Sequence, residues 1–361
     1  MTRLLVVDDS ALMRRLLVEI FADEADFLVE TARSGDEALQ KLPHFKPDVV
    51  TLDLQMPGMD GLTCLDRIML EQPTPVVIVS ALTAEGGAQT LEAMELGAVD
   101  FVEKPSGAIS LRIDALAPVI VAKVRDASRA RLSTVRLRER VRLRSRAELP
   151  AASSPRPTRT VRRLPTPARI GSRVVLVGAS TGGPPALDAL LEPLPASFPW
   201  PIVVAQHMPA TFTGALARRL DNLCELTVSE VTKATPLQPG HVYIGRGDGD
   251  IVLSTRAGET VALAIPASTE HRWHPSVDRL VESAMAHRRP EELVGVLMTG
   301  MGSDGADAMT RLRQLGGRTI AEAEESAVVW GMPGSLVQQG GAEVVAPLDR
   351  LADELLKLAA A

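Results

Sequence analysis

Three carboxylates, a hydroxyl and an amine stand where short apolar runs end in the first third of the chain. Asp8-Asp9 follow Leu4–Val7, Asp53 follows Val49–Leu52, Ser80 follows Val76–Val79, and Lys104-Pro105 come just after Asp100–Val102. Carboxylates gathered at one edge repel each other unless a cation stands between them, and an all-oxygen ligand set with water suits Mg2+. An acceptor carboxylate beside a metal, a hydroxyl and a lysine is equipment for an aspartyl phosphate. A single Asp after a strand is more commonly a helix N-cap, so the weight rests on the combination.

A second set lies in the last half. Val174–Val177 runs into Gly178-Ala179-Ser180-Thr181-Gly182-Gly183-Pro184, a literal G-x-S-x-G with a strand before it and a helix after it. Gly178 and Gly182 would let the backbone turn tightly and expose Ser180; the alternative is a glycine-rich turn with Ser as a helix cap. A serine nucleophile needs a base. Of six histidines, His207 in Ala205-Gln206-His207-Met208-Pro209 follows a strand-like run and would share a sheet edge with Ser180, although a lone His can also be structural. Asp304, in Thr299-Gly300-Met301-Gly302-Ser303-Asp304-Gly305, would fix the ring's tautomer. The order Ser, His, Asp differs from the Ser, Asp, His of α/β-hydrolases and disfavours that family. The same loop spells G-x-G-x-x-G from Gly300 to Gly305, with Glu322 17 residues on, so a dinucleotide fingerprint is the competing reading. It accounts for neither Ser180 nor His207.

Elements that would position these groups follow from periodicity. Strands are expected at Leu4–Val7, Phe27–Thr31, Val49–Leu52, Val76–Val79 and Asp100–Val102, with helices between them such as Ser10–Ala22 and Glu85–Leu96. A second alternation has strands at Val174–Val177, Ile202–Ala205, Leu226–Val228, Leu293–Met298 and Thr319–Ala321. Its helices are about Pro184–Leu194, Thr213–Asn222, Ser276–His287 and Asp304–Leu315. Val242–Ile244, Ile251–Leu253 and Val261–Ala264 are expected as inserted hairpin strands. The fold class is α/β: two doubly wound, mostly parallel-sheet domains, flavodoxin-like and then Rossmann-like, with ligand sites at the strands' carboxyl ends.

A chain of 361 residues with 45% hydrophobic and 23% charged side chains has enough apolar material for two such cores, which excludes a wholly disordered protein. No apolar run approaches the roughly 18 residues of a membrane helix, and Leu4–Val7 is too short for a signal peptide. Cys64 and Cys224 suggest no disulfide framework, so a cytoplasmic protein without membrane insertion is expected. Net charge divides the chain: −11 over residues 1–122, +12 over 123–169 and −7 over 170–361. With five prolines between Ala147 and Arg169, the basic block reads as a flexible linker. A partner-binding role is the alternative; nucleic acid is disfavoured for want of zinc-finger spacing, aromatic interleaving or a helix-turn-helix. Three regions result: 1–122, 123–169 and 170–361.

Residues 1–122 resemble a response-regulator receiver domain, on V-V-D-D-S at Val6–Ser10, D-L-Q-M-P-G-M-D-G at Asp53–Gly61, S-A at Ser80-Ala81 and K-P at Lys104-Pro105. The resemblance implies that Asp53 accepts phosphoryl from a histidine kinase, and that Asp8, Asp9 and Asp53 with the Gln55 carbonyl hold Mg2+. Lys104 would pair with the phosphate, Ser80 and Phe101 would relay the switch, and Lys104-Pro105 is expected to be cis.

Residues 172–361 resemble the catalytic domain of the chemotaxis-type protein-glutamate methylesterases (the CheB family). The matching motifs are G-A-S-T-G-G at Gly178–Gly183, Q-H-M-P at Gln206–Pro209, H-P-S-V-D at His274–Asp278, T-G-M-G-S-D-G-A at Thr299–Ala306 and G-M-P at Gly331–Pro333. This implies Ser180 as nucleophile, His207 as general base and acid, Asp304 as orienting carboxylate, Thr181 beside them and the Met301 N–H at the oxyanion. The implied substrates are glutamyl methyl esters of methyl-accepting chemoreceptors, with glutamine deamidation by the same route. No cofactor is expected in this domain, the chain is expected to be a monomer, and the unphosphorylated receiver is expected to cover the cleft. Gly245–Asp250 departs from the family's frequent A-P-G followed by a histidine a few residues on, and is expected to contact substrate; Trp330 stands where a smaller aromatic is frequent. A receiver-controlled dinucleotide-binding or non-catalytic signalling output remains the alternative.

Overall fold

The computed structural model describes residues 1–80, 84–104, 109–132 and 173–360. The Lys104-Pro105 bond, Ala81 and the expected linker from residue 133 onward therefore lie outside the described residues.

The first unit runs β1 (Thr2–Val7), α1 (Ala11–Ala22), β2 (Phe27–Ala32), α2 (Gly35–Phe45), β3 (Val49–Asp53), α3 (Gly61–Glu71), β4 (Val76–Ser80), α4 (Ala84–Leu96), β5 (Asp100–Glu103) and α5 (Ile109–Ala127). The sheet order is β2-β1-β3-β4-β5, every pair parallel. β3 and β4 are buried along their whole length because helices cover both faces of a parallel sheet, which is why their sequences read as unbroken apolar runs. Ser10, Ser34 and Asp60 start α1, α2 and α3 by accepting a backbone N–H in the first turn. The 122/123 boundary falls inside α5. Beyond that helix the Arg131 N–H reaches the Val328 carbonyl at 3.2 Å and its guanidinium reaches Glu324 at 2.8 Å.

The second unit opens with β6 (Val174–Ala179), α6 (Gly183–Leu191), β7 (Ile202–Gln206), α7 (Ala210–Leu223), β8 (Thr227–Glu230), β9 (Thr235–Pro236) and β10 (His241–Ile244). It continues through β11 (Gly249–Arg256), β12 (Glu259–Pro266), α8 (Val277–His287), β13 (Leu293–Leu297), α9 (Ala306–Gln314), β14 (Arg318–Glu322), α10 (Met332–Gln338), β15 (Val344–Ala346) and α11 (Leu351–Ala360). Its parallel seven-stranded sheet has the order β15-β14-β13-β6-β7-β10-β8. From β6 the chain builds outward through β7 to one side, then returns beside β6 with β13 and builds to the other. The carboxyl ends of β13, β6 and β7 thus flank the switch point at which such folds place ligands.

One expectation is corrected. Val242–Ile244 is no hairpin strand; as β10 it lies parallel between β7 and β8 in the main sheet. Ile251–Leu253 and Val261–Ala264 do pair antiparallel, and with β9 make a separate small sheet. The strand β15 and helices α10 and α11 were not anticipated.

The two units share a core. α4 packs on α7, and Phe101 of β5 meets Phe212 of α7 with ring centroids 4.5 Å apart. Both rings are buried, so this contact removes from water side chains worth about 1.5–3 kcal/mol each. Beside them Arg219 bonds to Glu95 of α4 and to Asp188 of α6, bridging the units with one guanidinium.

Candidate active site

At the first unit's sheet edge, the β1–β3 register pairs Val7 with Leu52 and so sets Asp8 beside Asp53. Oxygens of Asp8, Asp9 and Asp53 lie within 4.8 Å of one another. Lys104 Nζ stands 2.9 Å from Asp8 and 2.6 Å from Asp53, and the Gln55 N–H donates to Asp53 at 3.2 Å. Burial pushes the Asp53 carboxyl above the ordinary range, against the pull of Lys104. Burial also works against the Lys104 ammonium, but bonds to Asp53 and Asp8 hold it above its usual value. The Lys104 ammonium and the Arg14 guanidinium, which donates to the Asp8 and Asp9 carbonyls at 2.7 and 2.9 Å, face three carboxyl groups, and this hard-oxygen donor set fits a divalent cation such as Mg2+. Ser80 is buried with its hydroxyl bonded to the Gly86 carbonyl at 3.5 Å, and Phe101 faces the second unit.

The second site is built by three strand ends. Gly178 does not make the turn: it lies inside β6, where a Cβ would sit 2.6 Å from Val277, so its role is close packing. Gly182, with φ +76°, turns the chain into α6. The β6–β7 register pairs Ala179 with Gln206, and the His207 N–H donates to the Ala179 carbonyl at 2.9 Å, which sets His207 level with Ser180. Across β13, the Ser180 N–H donates to Thr299 at 2.9 Å. A Cβ on Gly300 would fall 2.7 Å from that of Ser180, so only glycine admits this approach. Ser180 is buried, not exposed as expected, at 9% of its free surface.

Asp304 Oδ2 meets His207 Nε2 at 2.7 Å and accepts the Val277 N–H at 2.7 Å; Oδ1 accepts from the Asp278 N–H and the Ser276 hydroxyl, both at 3.1 Å. Burial would raise the Asp304 carboxyl, but the bonds from His207 and from the start of α8 outweigh it and hold it below the ordinary range. An ionised carboxylate only accepts, so Nε2 carries the proton and Nδ1 keeps its lone pair. Nδ1 has no partner among the described residues, which makes it the nitrogen available to a serine hydroxyl. Nor, among the described residues, does any acceptor meet the N–H of Thr181 or Met301. Both N–H groups are therefore donors left for an incoming oxygen.

Several participants were not foreseen. Trp273 stacks on His207 with centroids 6.1 Å apart and 18° between planes, and the Arg272 guanidinium lies over the Trp273 ring at 5.1 Å from its centroid. Asp250, at the end of the Gly245–Asp250 segment, is a buried hub that accepts from His274 Nδ1 at 2.9 Å, the Ser276 N–H at 2.7 Å and Arg279, and so orders the chain that follows Trp273. Glu322 is fully buried and accepts the Thr299 N–H at 2.8 Å. It serves the catalytic loop, and with Gly300 packed on Ser180 and Met332 the dinucleotide reading loses both its acidic residue and its open glycine cradle. Most consequential, the first unit grips the turn itself. The Thr181 hydroxyl bonds to Asp100, and the Gly182 N–H donates to the Val99 carbonyl at 3.1 Å. Asp100 is in turn paired with Lys123 of α5 at 2.7 Å.

Comparison with known proteins agrees with this division. The CheB methylesterase family model matches residues 175–355, and the response regulator receiver domain model matches residues 4–114. A protein-glutamate methylesterase/protein-glutamine glutaminase of Rhodopseudomonas palustris is 55% identical over 361 residues, covering 99% of this chain and 98% of its own. One from Rhodospirillum rubrum is 52% identical, covering 98% of this chain and 95% of its own. The crystal structure of the Thermotoga maritima CheB methylesterase catalytic domain aligns with TM-score 0.50 at 38% identity, over 52% of this chain and 98% of that one.

Proposed function

Because this chain belongs to the CheB methylesterase family, with a receiver domain ahead of its catalytic domain, we propose that Ser180, His207 and Asp304 carry its ester hydrolysis and that Asp53 governs it. The chain is a protein-glutamate methylesterase/protein-glutamine glutaminase of two-component chemotaxis adaptation. The observation that carries the residue assignment is the His207 Nε2–Asp304 bond at 2.7 Å, with buried Nδ1 left for Ser180.

The steps follow from that geometry. Nδ1 takes the hydroxyl proton as Ser180 Oγ adds to the carbonyl carbon of a glutamyl methyl ester. The N–H groups of Thr181 and Met301 receive the developing oxyanion, and Asp304 stabilises the imidazolium. The proton on Nδ1 then leaves with the methoxy oxygen as methanol, giving an acyl-Ser180. Water attacks through the same base, releasing glutamate and restoring the hydroxyl. A glutamine amide would follow the same path with ammonia as the leaving group. The substrates are methyl-accepting chemoreceptors. Among the described residues no helix is long and apolar enough to cross a membrane.

The regulatory reading rests on the receiver. A histidine kinase of the chemotaxis type supplies the phosphoryl group to Asp53. Asp8, Asp9, Asp53 and the Gln55 carbonyl would hold a divalent cation, which when bound supplies charge neutralisation for the phosphoryl oxygens. Lys104 pairs with the phosphate, withdrawing from Asp8. β5 links that event to the catalytic domain, since Lys104 follows a strand whose first two residues hold Thr181 and pack on Phe212. Phosphorylation replaces the carboxylate with a larger group carrying about 1.5 to 2 negative charges at a buried point, enough to reset such a contact. Replacing Asp53 by Asn is expected to leave basal methanol release unchanged and to abolish its rise with a small phosphodonor, as a chelator would in the wild type; a full response in D53N would remove Asp53 from its role.

The grip on Thr181 has its own expected result. A hydrogen bond to a charged acceptor contributes about 1.5–3 kcal/mol. Asp100→Ala should therefore weaken receiver docking about tenfold to a hundredfold and raise basal methanol release toward the phosphorylated level, measured without phosphodonor. Basal release equal to wild type would show that this bond does not restrain the site.

A further inference from the structure

Asp304 and Asp278 exchange hydrogen bonds between two helix starts. Asp304 immediately precedes the start of α9, yet its carboxylate caps α8, accepting the N–H groups of Val277 and Asp278 at 2.7 and 3.1 Å. Asp278 is in the first turn of α8, yet its Oδ1 accepts the Ala308 N–H of α9 at 3.1 Å. Each helix thus satisfies first-turn donors of the other, in addition to the Arg279 N–H that the N-cap Ser276 of α8 accepts at 3.3 Å. The exchange fixes the separation of the two helix starts, and through it the placement of the Asp304 carboxylate against His207.

We propose that Asp278 is a positioning residue for this hydrolysis, acting through Asp304 to hold the His207 ring in its working place. The proposal rests on the reading of Ser180, His207 and Asp304 as the reacting set. A purely structural cap would not need a second carboxylate beside one already buried. Asp278 is held above the ordinary carboxylate range, first by burial and then by the neighbouring Asp304 charge. α8 already has Ser276 as its N-cap, so the Asp278 carboxylate is retained against this repulsion for its bond to α9, which keeps the two helix starts in register.

The test is steady-state methanol release by the full chain with phosphodonor, for Asp278→Ala, Asp278→Glu and Asp278→Asn, with thermal unfolding of each. A displacement of about 1 Å at a catalytic group costs up to a hundredfold. Asp278→Ala, which deletes the acceptor, and Asp278→Glu, which moves it by one methylene, should each lower kcat at least tenfold with KM within twofold. Asp278→Asn keeps the acceptor and should stay within threefold of wild type. If the alanine variant does not fold, the contrast between Glu and Asn decides. A cycle with Asp304→Asn separates the two levels of the argument: the double variant D278A/D304N should be no slower than D304N alone. Asp304→Asn inactive with Asp278→Ala and Asp278→Glu at wild-type kcat would overturn the positioning role while leaving the triad intact. Asp304→Asn at wild-type activity would overturn the triad reading, and the positioning role with it.

Discussion

Ser180→Ala is expected to lower kcat for glutamyl methyl ester hydrolysis by at least about 10⁴-fold. The loss should fall in kcat and not in KM, because the hydroxyl forms a bond only during reaction and contributes little to holding a receptor segment. The surroundings argue that the variant will fold. Ser180 is anchored by its backbone, through its N–H to Thr299 and its carbonyl to Gln206 Nε2 at 2.9 Å, and neither bond uses the side chain. Loss of a hydroxyl from a packed site costs little volume, so the receiver should still dock and Asp53 should still take phosphoryl. Activity within tenfold of wild type would mean that another group attacks the ester.

Asp304→Asn is the second large effect, expected at about 10⁴-fold in kcat. An asparagine presents an amide where His207 Nε2 meets a carboxylate, and it can turn either its oxygen or its nitrogen toward the ring. With the nitrogen inward, Nε2 must accept, the proton moves to Nδ1, and the lone pair required by Ser180 is lost. With the oxygen inward the tautomer survives, but the imidazolium formed in the transition state loses its counter-charge. The same carboxylate takes two N–H groups at the start of α8, so the variant should also unfold at a somewhat lower temperature. The catalytic loss should far exceed what that destabilisation explains, as rates measured well below the unfolding transition would reveal. A variant of reduced stability but wild-type kcat would make Asp304 a helix cap only.

The sequence made the central site legible for a physical reason: in a doubly wound sheet, whatever stands after a strand is carried to one edge. Ser180, His207 and Asp304 come after β6, β7 and β13, three adjacent strands, and the apolar runs that mark those strands are unambiguous. The receiver was legible in the same way. Pairing partners were not, because periodicity says nothing of neighbours. Val242–Ile244 looked like the short strands beside it, and only tertiary packing sends it to the parallel sheet. β15 is three residues long, too short to show a period. α10 starts with Met332-Pro333-Gly334, and a glycine that early in a seven-residue helix hides it. The roles of groups that act through backbone N–H donors were not legible either. Asp278 and Glu322 bond to main-chain atoms far along the chain, and nothing in residue type marks the partner. Asp100 reads as the first residue of an ordinary strand; its hold on Thr181 exists only because the receiver turns that end of β5 to the catalytic turn.

In the proposed reading one chain holds two switches in series: Asp53, which takes phosphoryl, and the turn at Ser180–Gly182, held by the start of the strand that ends beside Asp53 at Lys104. The most direct test is methanol release from methylated receptor membranes by the intact chain, with and without a small phosphodonor, beside the catalytic domain alone (residues 173–361). The intact chain is expected to release methanol slowly and faster on adding phosphodonor, and the catalytic domain to release it fast without responding to phosphodonor. Equal release by the intact chain with and without phosphodonor, or a well-folded catalytic domain that releases no methanol, would contradict it.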